Sequence, residues 1–258
     1  MTALTRFWRV FRVGLVYATF GGAIAVTTRI LVPIRCFLAG TRDGADLFAQ
    51  RSLHRAARLV RWLAVGLKVV DLQLEGLEKL PKSGPILLVA NHPSKLDATF
   101  LVSLMPQLDT IVQDSWANAP IISGAVETGG YLRNSDPRRV IDEAVRRLAE
   151  GRRVLIFPEG SRSPAGELND FHRGAARIAL ASGCDLQTII IRCDPPFGLK
   201  GRPWYDIPSV TPRMSIRAGE ALSPEDWTDG NETPGVAARK VTRALRDYFD
   251  RELNDAHA

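Results

Sequence analysis

The sequence predicts an α/β domain, a mixed sheet flanked by helices, preceded by an apolar and basic helical segment. From residue 68 onward, apolar β-branched or leucine-rich runs alternate with helical stretches, which is typical of layered α/β domains. All of the excess positive charge lies in the first 70 residues. With 45% hydrophobic and 24% charged residues, the 258-residue chain can bury a core, so wholesale disorder is excluded.

The charge distribution indicates what the first segment contacts. Residues 1–70 contain eleven lysines and arginines against two acidic residues, while the whole chain has a net charge of +6. A nucleic-acid enzyme more often spreads basic residues around its active cleft, so no nucleic-acid partner is predicted. Arginines interleaved with apolar residues at one end of a chain indicate an anionic membrane surface.

Several functional classes lack their sequence signatures. The cysteines Cys36, Cys184 and Cys193 form no CxxC pair, so a disulfide framework or zinc ribbon is not expected, and we predict no metal site. The sequence has no GxSxG elbow, P-loop, HExxH or GxGxxG motif. Serine hydrolases, NTPases, zincins and dinucleotide enzymes therefore lose their main sequence support.

Residues 1–67 form the predicted N-terminal part, made of membrane-associating helices. An uncharged run at 13–28 is flanked by arginines, and a second apolar piece at 30–39 is interrupted by Pro33 and Arg35. Because a spanning helix needs about 20 residues, three interpretations stay open: a short or re-entrant membrane helix, an interfacial helix, and a cleaved signal peptide. Residues 45–68 predict a basic amphipathic helix that either packs on the domain or lies along lipid headgroups.

Residues 68–258 form the predicted main domain. The helix at 137–150 is well marked, because Ser135 or Asp136 can cap it and Gly151 suits its end. Residues 194–212, rich in proline and glycine, predict a long loop between strands. Strands are expected at 68–74, 85–90, 110–113, 153–157, 186–192 and 213–218, and helices at about 96–105, 137–150, 172–182 and 234–254.

A polar turn follows directly after the second predicted strand. Ligands of α/β sheets bind at the carboxyl ends of strands, so this turn is well placed for chemistry. It contains His92 and Asp97, whose spacing lets the carboxylate bind one imidazole nitrogen while the other stays free to take a proton. The alternative is that Asp97 only caps a helix and His92 is an ordinary loop residue.

A second polar loop follows the strand at 153–157 and reads FPEGSRS at 157–163. Glu159 and Arg162 need partners at the end of an apolar strand. Arg162 can offer two parallel donors to a phosphate or carboxylate. The alternative is a structural ion pair between these two residues that braces the turn.

Together the two motifs resemble the glycerolipid acyltransferases of the PlsC type, the 1-acylglycerol-3-phosphate and lysophospholipid acyltransferases. The resemblance covers roughly residues 68–218 and implies the layered, mixed-sheet domain of that family. It implies that His92 is a general base, that Asp97 orients it, and that no covalent acyl-enzyme forms. It also implies contacts with the acceptor from Glu159, Gly160, Ser161 and Arg162.

The sequence departs from this family in the block between the two motifs. The family has an aromatic-rich block ending in an arginine that is thought to contact the acceptor phosphate. Here the arginine, Arg133, comes one place early, and Asn134 occupies the expected position. A shift of one residue in a strand turns a side chain to the other face. Arg133 is still a predicted contact of the acceptor, and Arg138 or Arg139 could bind the phosphate in its place.

The resemblance also implies a reaction. A fatty acyl group passes from acyl carrier protein (acyl-ACP) or coenzyme A (acyl-CoA) to a lysophospholipid hydroxyl, most simply 1-acyl-sn-glycerol 3-phosphate giving phosphatidate. The thioester is a co-substrate, so no cofactor is expected, and membrane lipids are the other partner. Because these donors are cytosolic, we expect the protein at the cytoplasmic face of a membrane, the inner membrane in a bacterium. Alternatives are a different lysolipid acceptor, a thioesterase, and a non-catalytic module that binds lipid or acyl carrier.

Overall fold

A mixed sheet forms the centre of the computed structural model, which describes residues 2–81, 83–164 and 167–254. Its strands within these ranges are β1 (Asp71–Glu75), β2 (Ile86–Ala90), β3 (Leu108–Val112), β4 (Leu132–Arg133), β5 (Arg153–Ile156), β6 (Leu186–Asp194) and β7 (Arg213–Leu222). They follow the order β1-β7-β6-β2-β5-β3-β4, and every neighbouring pair is parallel except β6 and β7. The predicted α/β fold with a mixed sheet is confirmed, and the six predicted strands are all present.

Helices cover both faces of the sheet. The helices of the described ranges are α1 (Ala3–Val26), α2 (Val32–Ala39), α3 (Ala45–Gly66), α4 (Asp97–Leu104), α5 (Asp114–Ala117), α6 (Ile122–Thr128), α7 (Pro137–Ala149), α8 (Gly174–Ser182) and α9 (Pro234–Asn254). Buried residues of α1, α3 and α4 pack on one face, and those of α7, α8 and α9 pack on the other. The four helices predicted for the main domain are confirmed, whereas α5 and α6 were not predicted.

Strand β2 shows how the apolar pattern builds the core. All its residues are buried, because a central strand is covered on both faces. Successive side chains alternate between faces: Leu88 joins the cluster beneath α1, α3 and α4, and Leu87 joins the cluster beneath α7, α8 and α9. The Asn91 amide then binds both the carbonyl and the N–H of Ile191 in β6, at 2.8 and 2.7 Å. These two hydrogen bonds fix where the following polar turn leaves the sheet.

The N-terminal segment is one long helix rather than two pieces. α1 continues through a π-helical turn at Thr27–Leu31 into α2, and Pro33 does not break it. Proline is tolerated there because it lies in the first turn of α2, beside the wider π turn. The predicted interruption of the apolar segment at Pro33 is therefore wrong. The helix from Ala3 to Ala39 is long and apolar enough to cross a membrane, a criterion that core helices and signal sequences also meet.

Helices α1 and α3 share a core with the sheet. Val13 and Val16 of α1 and Val60 of α3 are buried in the same cluster as Leu88. Cleavage of α1, as the signal-peptide interpretation requires, would remove these core residues, so the packing counts against that interpretation. The boundary predicted between residues 1–67 and 68–258 falls just after α3 and stays a prediction.

Residues 195–212 cross the molecule between β6 and β7 as a long loop, as predicted, and we call this loop the strap. The strap is attached to α1 at two points. The Trp204 ring packs on Gly14, where a Cβ atom would lie 3.3 Å from the ring, so a larger residue would push the strap outward. Arg9 donates to the carbonyl of Val210 at 2.6 Å. The N-terminal helix is thereby tied to a loop that reaches the site described next.

Candidate active site

The two polar loops meet at one edge of the sheet. β2 and β5 are parallel neighbours, so their carboxyl ends lie side by side. The N–H of Ser163 donates to the carbonyl of His92 at 2.9 Å and joins the two loops. Residues 91–97 and 157–163, distant in sequence, therefore form one site.

His92 and Asp97 form a hydrogen-bonded pair. His92 Nδ1 lies 2.8 Å from Oδ2 of the fully buried Asp97, whose carboxylate also accepts from the N–H and the hydroxyl of Ser94, both at 2.7 Å. The carboxylate is thus engaged by the turn and does not serve merely to cap α4. The imidazole stacks on Phe157 with 4.2 Å between ring centroids. Its Nε2 has no partner among the described residues, and His92 lines a cavity, so the arrangement suits a general base.

Glu159 is buried behind this pair, with 3% of its surface exposed. Its carboxylate accepts from the N–H of His92 at 2.9 Å, the hydroxyl of Ser163 at 2.6 Å and the N–H of Asn169 at 3.0 Å. It forms no ion pair with Arg162, so the structural-pair alternative is wrong. A buried carboxylate with three donors is not placed to touch a substrate. Its position favours a positioning role over the predicted contact with the acceptor.

Arg162 lies in the cavity wall. One guanidinium nitrogen donates to two backbone carbonyls of the strap, at 2.8 and 3.0 Å, and the group lies 5.6 Å from the Trp116 ring centroid. Burial lowers the pKa of Arg162, against the opposing effects of the nearby Tyr17 hydroxyl and Asp97 carboxylate. The other guanidinium N–H groups have no partner within the described ranges. They remain available to an anion.

Gly160 and Ser161 also line the cavity, as their predicted role requires. Gly160 has a φ of +65°, and a Cβ atom there would lie 2.9 Å from the His172 ring, so glycine is needed for both conformation and space. The Ser161 hydroxyl accepts from the Lys200 ammonium at 3.3 Å. This contact ties the strap to the second polar loop.

Arg133 does not reach the cavity. Its guanidinium binds Asp114 at 3.2 Å and also Asn118, on and just after α5. Asn134, the next residue, lines the cavity instead. The predicted contact between Arg133 and an acceptor is therefore not supported, for the reason that the one-residue shift suggests. Arg138 and Arg139 do not line the cavity either.

The cavity beside His92 has a volume of about 1,090 Å³ and reaches both faces of the sheet. The cavity walls from α1, α3 and α6 could not be predicted from the sequence, because these residues are far from the motifs and carry no motif of their own. The described apolar lining comes from α1, α3, α4 and α6 on one side and from β3, β5, α7 and α8 on the other; it includes Phe20, Ile24, Leu53, Val60, Val102, Ile122, Ile111, Val140, Ile141, Ile156 and Ile178.

Cationic side chains line the same cavity, and no aspartate or glutamate is among its described lining residues. Lys95, Arg162 and Lys200 lie where the strap meets the polar loops, whereas Arg173 and Arg177 lie at the start of α8. The sequence motifs did not mark Lys200 or Arg177. Such a lining fits a long apolar molecule with an anionic group. Within the described ranges, no group of three His, Cys, Asp or Glu side chains could hold a metal ion.

Comparison with known proteins extends this picture. The family model described as Acyltransferase matches residues 71–192, which include both polar loops. The chain is 34% identical over 145 residues to a chloroplastic 1-acyl-sn-glycerol-3-phosphate acyltransferase of Arabidopsis thaliana, covering 54% of this chain and 40% of that protein. It is 31% identical over 184 residues to a lyso-ornithine lipid O-acyltransferase of Pseudomonas aeruginosa, covering 69% of this chain and 64% of that protein.

A solved structure shares the fold. The crystal structure of PlsC, the 1-acyl-sn-glycerophosphate acyltransferase of Thermotoga maritima, matches with a TM-score of 0.62 and 20% identity over 93% of this chain and 97% of that one. The chain spans less than two thirds of the length of both curated relatives named above. The family match over residues 71–192, the two relatives and the shared fold agree with the two loop motifs and support the resemblance to the PlsC-type glycerolipid acyltransferases.

Proposed function

We propose that this protein transfers a fatty acyl group from an acyl-ACP or acyl-CoA thioester to the hydroxyl of 1-acyl-sn-glycerol 3-phosphate, giving phosphatidate. One observation carries the proposal: His92 Nε2, unpartnered in the described part of the chain and backed by Asp97, lies beside a large apolar cavity whose described lining contains cations and no carboxylates. The names of the Arabidopsis and Thermotoga relatives support this acceptor. We propose no cofactor beyond the thioester.

His92 acts as the general base in this mechanism. Nε2 takes the proton of the acceptor hydroxyl while Asp97 fixes the tautomer and stabilises the imidazolium. The acceptor oxygen attacks the thioester carbonyl, and the tetrahedral intermediate collapses with cleavage of the C–S bond. The leaving thiolate receives the proton from the imidazolium. The ester and a free thiol are formed, and the histidine returns to its starting state without a covalent acyl-enzyme.

The acceptor site follows from the distribution of charge and apolar surface. Arg162, with Lys95 and Lys200 beside it, binds the anionic headgroup, and the apolar lining from α1, α3 and α6 receives the acyl chain. The exposed apolar side chains of α1 and α2 support contact of this side of the molecule with a membrane. We propose the cytoplasmic face, because the thioester donors are cytosolic.

Acyl transfer in purified membranes tests the proposal. Labelled lysophosphatidate is offered with acyl-ACP or acyl-CoA to wild type and to His92→Ala. Because general-base catalysis contributes about 10²–10⁴-fold, the variant should lose most of the phosphatidate product. His54→Gln on α3 is the matched control and should retain activity. Activity that survives His92→Ala would refute the base assignment, and fatty acid released at equal rate without acceptor would indicate a thioesterase.

A second acceptor is favoured by two observations. Arg133 is bound to Asp114 and Asn118 rather than free for a phosphate. The likeness to the lyso-ornithine lipid O-acyltransferase also extends over more of this chain than the likeness to the Arabidopsis protein. The second candidate function is therefore O-acylation of a lyso-ornithine lipid. A competition assay with both lysolipids decides between them, and preference for lysophosphatidate would exclude the second candidate.

A further inference from the structure

The cations of the cavity form two separate groups. Lys95, Arg162 and Lys200 belong to the acceptor site proposed above. The second group, which we call the α8 basic group, consists of His172, Arg173 and Arg177 at the start of α8. Both groups line the cavity that contains His92, but they come from different parts of the fold. One reaction centre thus has two places for an anion.

The α8 basic group is unoccupied by protein partners. Its three side chains are exposed, and none has an ion pair or side-chain hydrogen bond within the described ranges. Arg173 and Arg177 are one helical turn apart, which puts them on the same face. On the neighbouring α7, by contrast, Arg146 and Arg147 are both paired with Glu143. The α8 group is therefore free to bind an external anion.

The surroundings of the α8 basic group are polar. Exposed large apolar side chains belong to α1, the π turn, α2, α3, β1, residues 116–121 and the strap. None lies in the described parts of residues 132–203, which include α7 and α8. A membrane lipid meets the molecule at its apolar side, so the ligand of the α8 group comes from water. It must also reach into the cavity, because the group lines the cavity wall.

We propose that the α8 basic group binds the phosphate of the 4′-phosphopantetheine arm that carries the acyl thioester. This inference rests on the proposed acyl transfer, whose two substrates need two entrances. The arm is water-soluble, anionic at one end and narrow enough to lead a thioester toward His92. Coenzyme A and acyl carrier protein share this arm, so the same residues serve either donor. The lipid acceptor enters from the opposite, apolar side.

Kinetics with three donors test the assignment. The double variant Arg173→Ala/Arg177→Ala is compared with wild type using acyl-CoA, acyl-ACP and acyl-N-acetylcysteamine, which is a thioester without the phosphate. We expect the KM for acyl-CoA and acyl-ACP to rise about tenfold, the size of one lost charge-assisted contact. The acceptor KM and the rate with acyl-N-acetylcysteamine should not change. Arg239→Ala, an exposed arginine on α9, is the matched control.

Two results would overturn the assignment. An equal loss with acyl-N-acetylcysteamine would mean that the arginines do not act on the phosphate, and a loss with acyl-ACP alone would mean that they bind the carrier protein's surface. Direct binding separates this inference from the proposed function. Wild type should bind 4′-phosphopantetheine more tightly than pantetheine, and the double variant should not. This difference would stand even if wild type acylated no lysolipid.

Discussion

The carboxylates of Asp97 and Glu159 hold the same histidine from two directions. Asp97 binds the ring at Nδ1, and Glu159 binds the backbone N–H. The ring orientation and the path of the turn are thus fixed by separate contacts. A base that is positioned before the substrates arrive needs little rearrangement during the reaction. The candidate site therefore depends on buried carboxylates as much as on the side chains that line the cavity.

Replacing Glu159 with Gln tests its positioning role. The amide nitrogen cannot accept a hydrogen bond, so at least one of the three donors loses its acceptor. We expect kcat to fall about tenfold to a hundredfold with an unchanged acceptor KM, because the base is displaced while the acceptor site remains. Steady-state kinetics on protein with a wild-type melting curve measure this. Ser163→Ala, which removes one donor and keeps the carboxylate, is the milder control. If Glu159→Gln instead raised the acceptor KM and left kcat intact, Glu159 would contact the acceptor, as the resemblance implies.

At the scale of elements, the antiparallel pair β6–β7 contains an irregularity in its register, which we call the step. The register shifts between Gln187 and Ile189. The Thr188 hydroxyl donates to the carbonyl of Glu220 at 2.8 Å, and the N–H of Glu220 donates to the Tyr248 hydroxyl of α9 at 3.0 Å. Side chains therefore satisfy backbone groups that the shift leaves without strand partners. The same contacts fasten α9 to the sheet.

Gly219 is the weak point of this step. A Cβ atom there would lie 2.4 Å from the Thr188 hydroxyl oxygen and 2.7 Å from that of Tyr248. We expect Gly219→Ala to lower the free energy of unfolding by about 1–3 kcal/mol through overpacking. Denaturant unfolding measures this, with Gly235→Ala as the control, because nothing lies within 4 Å of a Cβ atom at Gly235. Equal stability of the two variants would contradict this account of the step.

The elements that could be predicted are those with a strong local pattern. β2 is a continuous apolar run because both of its faces are buried, and such runs are visible in a sequence. β4 has only two residues and gives no pattern. Pro33 predicted a break in the N-terminal helix, but the helix continues through the π turn, which precedes Pro33.

The candidate site could be predicted in part for a similar reason. The spacing of His92 and Asp97 is local, so their pairing was visible in the sequence. The positioning role of Glu159 and the location of Arg177 at the cavity arise from contacts between residues that are distant in sequence. No local spacing encodes such contacts.

At the scale of the whole molecule, apolar exposure and charge are arranged for two different environments. The side chains of Phe7, Trp8 and Phe11 on α1 are at least half exposed, at 61%, 50% and 53%. Such aromatic residues next to arginines are typical of helices at an anionic lipid surface. The α7–α8 region, with its free cations, faces water. The molecule therefore has an exposed apolar side, which we propose as its lipid-facing side, and a cationic, solvent-facing side across one cavity.

Vesicle binding tests the lipid-facing side. We expect serine substitutions at Phe7, Trp8 and Phe11 together to weaken sedimentation with anionic vesicles, because they remove exposed apolar area without touching the core. The melting temperature in detergent should stay near that of wild type. Serine at the buried Val13 and Val16 is the contrasting variant and should lower the melting temperature. Unchanged vesicle binding by the triple variant would place the membrane contact elsewhere.

Because Val13 and Val16 belong to the core, deleting the apolar N-terminus would not give a water-soluble enzyme. The deletion would remove Gly14 and Tyr17 from the cavity wall and release the strap from its anchor. A detergent-free preparation must keep the inward-facing residues of α1 and change only outward-facing ones such as Phe7 and Phe11. For this protein, solubility has to be engineered by substituting the exposed residues of α1, not by deleting the helix.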